Sequence, residues 1–378
     1  MNWQLKRLKD NENLKVFSLF FCVFSTLLFL SYCYIKITRE GGGLKASEPF
    51  ISSKFRNEAI DTESSSSYNF LLLGYGGPGH DGSSLSDVLI VVHFNLESKR
   101  IVLISIPRDL WTEMPVRSDI KENHKINEAY AIGIDDRLYP LKEPIYGGEA
   151  GGGEMAKKVV SNVIGMPVNY FVAIDFNGFK NMIDILGGVR VDVPTAFDDH
   201  FYPVKGLENE PCGKSGKEIA KLTETLSGFE LEKQFECRYE HLHFEKGPQV
   251  MDGETALKFV RSRHSSQHGG DFARSQRQFA LLVGIKDKLI STYGISKLDE
   301  LYNQFGKIVK TDLSLDLVKS FINVIGNPSS YQLSFVNLTE DNILRSSRNS
   351  IGQFILVPKE GVGRWESIHQ FIEKEIAN

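Results

Sequence analysis

Two apolar runs stand close together in this chain: Asp87-Val-Leu-Ile-Val-Val-His-Phe94 and Ile101-Val-Leu-Ile-Ser-Ile106-Pro107, with the polar stretch Glu97-Ser-Lys-Arg100 as a turn between them. Two strands of similar length joined by a short polar turn read as a β-hairpin. The pairing is antiparallel, so the start of the first strand lies beside the end of the second. Ser86 and Asp87 therefore belong next to Pro107, Arg108 and Asp109, and an acid and an arginine reach the same rim of a sheet. Upstream, Asn69 to Leu73 is a further short apolar strand, followed by the glycine-rich turn Gly74-Tyr-Gly76-Gly-Pro-Gly79. That turn matches neither GxGxxG ahead of a helix nor GxxxxGK[ST], and makes a weak phosphate loop.

The rest of the chain alternates strand and helix. Asn169 to Asp175 is strand-like, Gly178 to Leu186 is a helix with an apolar face, and Gly187-Gly188 stops it ahead of the strand Val189 to Val193. This succession predicts a mixed α/β domain, a mixed β-sheet flanked by helices. From Trp111 to Gly153 the pattern reads as loop with one helical turn, before an amphipathic helix over Met155 to Ile164. Further helices are expected over Gly253 to Val260, Gln278 to Ile290, Ser296 to Ile308 and Trp365 to Ile376, with strands at Tyr331 to Leu338 and Phe354 to Pro358. The expected organisation is a cytoplasmic segment over 1–15, a membrane helix over 16–35, a linker over 36–67, a main domain over 68–290 and a C-terminal α/β extension over 291–378.

Val16 to Ile35 is apolar and uncharged, and about 20 such residues span a bilayer as a helix. Lys6, Arg7, Lys9 and Lys15 precede it against Lys36 and Arg39 after it, which places the N-terminus in the cytoplasm and the bulk of the chain outside. A cleaved signal peptide is the alternative, but no small-residue cleavage site follows closely. Gly41-Gly-Gly43 and Ser64-Ser-Ser-Ser67 mark the following stretch as a flexible spacer. Of the four cysteines, Cys22 and Cys33 fall in the apolar run. Cys212 and Cys237 would lie outside, either as a disulfide or as two buried thiols.

The densest chemistry is a basic corner: Arg261-Ser-Arg263-His264, a loop, then Asp271-Phe-Ala-Arg274-Ser-Gln-Arg277. Asp271 reads as an N-cap, which would put Arg274 in the first helical turn, where the macrodipole disfavours a cation by ~1 kcal/mol or less. Arg274, Arg277 and Gln278 lie on adjoining parts of one helical surface. With Arg261 and Arg263 they offer four guanidiniums to one spot, a geometry that suits phosphate oxygens. The plainer reading is a solvated turn with local carboxylate pairs. Lys125 is a second candidate for reaching a phosphate, or is simply solvated. A formal net charge of −4 argues against general nucleic-acid binding, so any basic site is local. Asp87, with Asp81 or Asp109 near, suits Mg²⁺, which takes one or two carboxylates and completes its shell with water and substrate phosphate. Alternatively Asp87 caps its strand and pairs with Arg108.

With these pieces in place the sequence resembles the LytR-CpsA-Psr family of bacterial cell-envelope proteins. Four blocks match in order: Ser86-Asp87; Ile106-Pro107-Arg108-Asp109; Lys125-Ile126-Asn127-Glu128-Ala129-Tyr130; and Met251-Asp252-Gly253-Glu254-Thr255-Ala256-Leu257 leading into Arg261-Ser-Arg263 and Asp271-Phe-Ala-Arg274-Ser-Gln-Arg277-Gln278. The resemblance implies an α/β domain whose apolar groove holds a polyprenyl chain, with arginines on the pyrophosphate and Mg²⁺ at the head group. It implies a phosphotransferase that moves a polyprenyl-pyrophosphate-linked glycopolymer onto peptidoglycan and releases the lipid monophosphate. Carried over by position, Asp87 is a metal ligand, Arg108, Arg261, Arg263, Arg274 and Gln278 hold phosphate, and Asp271 assists. Two positions depart from the pattern: Gly76 stands where many members carry an aspartate, and Leu85 where an arginine is frequent. Asp81 is the candidate to replace the missing carboxylate. A polyprenyl-phosphate-binding regulator without turnover and a lipid pyrophosphate hydrolase are the alternatives. A transcription factor is disfavoured, because the domain would lie across the membrane from the chromosome.

Overall fold

The computed structural model describes residues 66–79, 82–265, 267, 269–289, 309–314 and 330–377, with the single positions 291, 297, 300, 304, 317, 320, 321, 324 and 325. The expected cytoplasmic segment and membrane helix, nearly all of the expected linker, Asp81 and most of the helix expected over Ser296 to Ile308 lie outside the described residues. Among the described residues no helix is long and apolar enough to cross a membrane.

Along the chain the strands are β1 (Ser67–Tyr75), β2 (Ser86–Asn95), β3 (Arg100–Ser105), β4 (Trp111–Met114), β5 (Glu122–Lys125), β6 (Tyr170–Asp175) and β7 (Val189–Val193). They continue as β8 (Phe197–Pro203), β9 (Tyr239–Phe244), β10 (Gly247–Met251), β11 (Val309–Thr311), β12 (Gln332–Asn337), β13 (Leu344–Arg348) and β14 (Phe354–Pro358). The helices used below are α1 (Ala129–Ile134), α2 (Gly148–Ile164), α3 (Phe176–Ile185), α4 (Gly216–Thr225), α5 (Phe229–Glu232), α6 (Gly253–Arg261), α7 (Gly270–Leu289) and α8 (Glu366–Ala377). The described residues form two compact units, one within 183–293 and one from the described residues on either side of that stretch.

The first unit is built on a six-stranded mixed sheet in the order β11-β6-β1-β2-β3-β12. The expected hairpin is its centre: β2 pairs antiparallel with β3 from Ile90↔Ser105 to Asn95↔Arg100. Successive strand residues face opposite sides. One set (Leu71, Leu73, Leu89, Val91, Val102, Ile104) meets Met155, Val159 and Val163 of α2 and Ile368 and Ile372 of α8 in a continuous core. On the other set, Phe70 stands edge-on to Phe321 with ring centroids 5.1 Å apart, and Phe94 lies 4.7 Å from Tyr331. The strands are therefore buried on both faces, which explains their uninterrupted apolar sequence. The C-terminal segment supplies both edges: β11 lies antiparallel to β6 and β12 parallel to β3.

The stretch expected as loop differs most from the sequence reading. It holds the β4–β5 hairpin, α1, and a helix α2 that starts at Gly148 and so absorbs Gly151-Gly-Gly153. Glycine costs roughly 1 kcal/mol each in a helix, so the run reads as irregular. Packing overrides that cost. A Cβ on Gly152 would lie 2.9 Å from the Tyr130 carbonyl oxygen of α1, and one on Gly153 would fall inside the Phe171 ring of β6. Close approach of α2 to its neighbours requires residues without side chains there.

The second unit pairs β7 with β10 and β8 with β9, both antiparallel. Val189, Val191, Phe197, Phe244, Met251, Ala256, Phe259, Leu281 and Ile285 are among its buried apolar residues. A Cβ on Gly284 of α7 would collide with the carbonyl of Arg190, which brings that helix down on β7. Cys212 and Cys237 are bonded, with Cα atoms 5.6 Å apart, and close the excursion between β8 and β9 that carries α4 and α5.

In the first unit Lys157 of α2 donates to Asp312 at 2.6 Å, with side-chain exposures of 12% and 4%, and Asp312 also accepts from the Phe171 amide. Lys157→Met removes the cation and leaves a buried carboxylate unpaired, so it should cost about 3–5 kcal/mol in urea unfolding. A loss below ~1 kcal/mol would show that this pair does not support the α2–β11 packing.

Candidate functional site

The first cluster lies at the rim where β2 begins and β3 ends. The β1–β2 register runs regularly to Gly74↔Val88 and then skips to Tyr75↔Ser86, so Asp87 is the extra residue of a bulge. Bulges re-aim side chains and are frequent beside functional sites. Arg108 Nη1 donates to Asp87 Oδ1, Arg108 Nε lies 3.6 Å from Asp109 Oδ2, and Lys125 Nζ donates to Asp109 Oδ1 at 2.6 Å. Charges thus alternate, Asp87–Arg108–Asp109–Lys125, on side chains that are each partly exposed. Two backbone bonds hold the segments together, Ile126 amide to Leu110 carbonyl at 2.7 Å and Asn127 amide to Arg108 carbonyl at 3.3 Å.

Lys125 is presented by a turn with its own fastening. Glu128 Oε1 accepts from the Lys125 amide at 3.3 Å, and Glu128 Oε2 lies 2.9 Å from His124 Nδ1. That hydrogen bond raises the His124 pKa against the opposing effect of burial, and the charges of Glu128 and Glu122 add to it. Burial pushes Glu128 the other way, but His124 and the Lys125 amide hold its carboxyl below the usual range.

The residues present fit a hard divalent cation in chemistry. The Asp87 side chain is 37% exposed, so its carboxylate has surface to offer a ligand while it pairs with Arg108. Ser86 Oγ and Asn127 Oδ1, on the flanking segments, are buried oxygens without a hydrogen-bond partner. Among the described residues no three His, Cys, Asp or Glu side chains form a metal cage. Mg²⁺ needs none, since it keeps waters and takes substrate phosphate beside one or two carboxylates.

The second cluster lies within the second unit, on the turn between α6 and α7. Ser262, the residue that ends α6, is extended (φ −51°, ψ 136°) and fully buried. Arg261 and Arg263 are both partly exposed, and Arg261 donates to the Tyr202 hydroxyl at 3.3 Å. Beneath them Asp199 of β8, only 1% exposed, accepts from Ser262 Oγ at 2.6 Å and from the amides of Arg263 at 3.0 Å and His264 at 3.1 Å. Burial alone would raise the Asp199 pKa, but these donors and the Phe201 amide outweigh it and keep the carboxyl below the usual range.

Arg277 departs from the sequence reading. It is 0% exposed, its Nε donates to the Phe259 carbonyl at 3.0 Å, its Nη2 donates to the Ser262 carbonyl, and its guanidinium lies 4.6 Å from the Phe197 ring centroid. Burial lowers its pKa to about 10, which leaves it cationic at neutral pH. Arg277 holds the turn from inside instead of facing an anion. The helix start also moves: α7 begins at Gly270, so Asp271 is a helical residue and not the cap, and Arg274 falls beyond the first turn. Arg274 and Gln278 are partly exposed, as a surface role requires.

The structure thus joins Asp87, Arg108, Asp109 and Lys125 in one unit, and Arg261, Arg263 and Arg277 in the other. Sequence reasoning missed Asp199, Ser262, His124 and Glu128. Their signals were present but faint: a carboxylate pair, Asp198-Asp199, on a strand, a serine between two arginines, and an acid four residues after a histidine.

A mixed sheet flanked by helices defines an α/β protein. The pattern of the LytR_cpsA_psr family matches residues 32–352, and the chain belongs to that family. Two relatives are named polyisoprenyl-teichoic acid–peptidoglycan teichoic acid transferase. TagV of Bacillus subtilis (strain 168) is 26% identical over 302 residues, 79% of this chain and 63% of the relative, so this chain spans less than two thirds of it. TagU of Halalkalibacterium halodurans is 25% identical over 338 residues, 88% of each protein. Among solved structures, B. subtilis TagV aligns with a TM-score of 0.52 and 22% identity over 82% of this chain and 97% of that one. Protein gbs0355 of Streptococcus agalactiae aligns with a TM-score of 0.53 and 19% identity over 84% and 90%. These two likenesses are of fold.

The His124–Glu128 bond makes stability pH-dependent. A histidine with a raised pKa contributes below its ordinary value of 6.5 and loses that contribution as pH rises through the folded value. A glutamate with a lowered pKa contributes above its ordinary value of 4.5 and loses it as pH falls through the folded value. Urea midpoints should therefore fall from pH ~6 to pH ~9, and fall less in Glu128→Gln. Identical pH slopes in both proteins would dismiss the bond as a stabiliser.

Proposed function

We propose that this chain is a membrane-anchored glycopolymer phosphotransferase acting outside the cytoplasm, which moves a polyprenyl-pyrophosphate-linked glycopolymer of the teichoic-acid kind onto a peptidoglycan hydroxyl. The observation that carries the reading is the alternating Asp87–Arg108–Asp109–Lys125 rim in a member of a family whose curated relatives are named teichoic acid transferases. Charge asymmetry around Val16 to Ile35 supports the anchor and the orientation.

The reaction asks mainly for positioning and for neutralisation of phosphate charge. The acceptor hydroxyl oxygen bonds to the phosphorus that bears the sugar. The bond from that phosphorus to the lipid phosphate breaks, and the leaving polyprenyl monophosphate keeps the electron pair. Asp271 takes the hydroxyl proton, and Arg274 stabilises the reacting phosphate. In the first unit Arg108 and Lys125 supply fixed positive charge to phosphate oxygens. In the second, Arg261 and Arg263 do the same, with Gln278 as a neutral donor. Asp87 would hold Mg²⁺, which when bound offsets phosphate charge. Arg277 is assigned to the framework of the turn, because it has no surface to offer.

A second reading, lipid pyrophosphate binding without turnover, is favoured by one observation: Gly76 is buried and carries no carboxylate where the family often has one.

The full chain in detergent, given a polyprenyl-pyrophosphate-linked saccharide, Mg²⁺ and peptidoglycan, should release polyprenyl monophosphate. Asp87→Ala should abolish the release, and Arg108→Ala and Arg261→Ala should each lower the rate about 10²–10³-fold without lowering the unfolding midpoint much. Release that needs no peptidoglycan would identify a hydrolase. Tight lipid binding with no release in any protein would leave the binding reading standing.

A further inference from the structure

The second unit holds two buried ionisable groups of opposite sign, Asp199 and Arg277, that the proposed chemistry does not use. We infer that Asp199 is a positioning residue: with Arg277 it fixes Ser262 inward, so that Arg261 and Arg263 stand as a preformed outward pair for a pyrophosphate group. The inference rests on the reading of this turn as a phosphate site.

Three features of the geometry carry it. First, the clamp is two-sided: Asp199 accepts from the Ser262 hydroxyl, and Arg277 donates to the Ser262 carbonyl. A serine held from both ends cannot turn outward, and the arginines on either side of it are partly exposed while it is buried. Second, Asp199 binds the turn's backbone as well as its side chain, through the amides of Arg263 and His264. Those two amides are therefore committed to the protein, and a ligand would meet the turn through its side chains. Third, a carboxylate and a guanidinium this deeply buried are expensive to desolvate, and a short turn could be fastened by neutral groups. The clamp's opposite charges offset each other beneath the surface, so the positive field outside the turn remains that of Arg261 and Arg263. A site held before its ligand arrives does not spend binding free energy on ordering two long side chains.

The test uses the full chain in detergent, calorimetric titration with inorganic pyrophosphate, and steady-state kinetics with the lipid-linked saccharide. Ser262→Ala removes one hydroxyl and Asp199→Asn removes the charge. Each should raise the pyrophosphate Kd and the KM about tenfold while kcat stays within about twofold. Ser262→Thr, which keeps the hydroxyl, should restore binding. Val191→Ala, a core change in the same unit, should lower stability without moving Kd. If Arg261→Ala and Arg263→Ala lose pyrophosphate but Asp199→Asn and Ser262→Ala bind as the parent does, the positioning role is wrong and the phosphate site stands. The positioning role is equally wrong if Val191→Ala weakens binding as much as they do. If the arginine variants themselves bind normally, the phosphate reading of the turn falls and the positioning role with it. Should Asp199→Asn fail to fold, Ser262→Ala decides.

Discussion

Antiparallel pairing of β2 with β3 is the constraint from which the rest of the first unit follows. The ladder fixes which residues are opposite, and a shift of one position would turn every core side chain to the wrong face. Because Leu89, Val91, Val102 and Ile104 must all meet α2 and α8, the register has one solution. That solution carries the polar residues at the strand ends with it, and so brings Asp87 to Arg108. The bulge at Asp87 then frees that residue from the ladder without disturbing the pairs beyond it. Chemistry at the rim is thus a by-product of hydrophobic register in the core.

Both units use buried or half-buried charge as scaffolding. Lys157 and Asp312 tie α2 to the segment after β11, and Asp199 and Arg277 tie the α6–α7 turn to β8 and to α6. Apolar packing would hold these elements at less cost in desolvation, but it tolerates sliding. Buried charges with satisfied hydrogen bonds tolerate little displacement.

The sheet was legible in the sequence because its strands are short, apolar and separated by polar turns. The rim was legible because strand pairing alone predicts it. The arginine corner was legible as a cluster of cations, but not in its division of labour. Arg274 and Arg277 look alike in sequence, and only burial separates the one with surface to offer from the one that braces the turn. Asp199 stayed hidden because a carboxylate in a strand reads as solvated until its donors are known, and they come from residues more than sixty positions away. The glycine run in α2 was misread for the opposite reason: local propensity was clear, and tertiary contact overruled it.

The two edge strands of the central sheet come from the far end of the chain, β11 from 309–311 and β12 from 332–337. During synthesis, β1, β2, β3 and β6 emerge first, and the whole of the second unit follows before either edge is available. Among the described residues the strands of that unit pair with one another, β7 with β10 and β8 with β9. Until residue 311 has emerged two rows of amides and carbonyls lack these partners, and until 337 the row on β3 still does, the kind of edge that recruits other chains. A truncation between the second unit and β11 would keep the residues of both charged clusters and make that exposure permanent. Such a product should be lost to aggregation, not to missing catalytic groups.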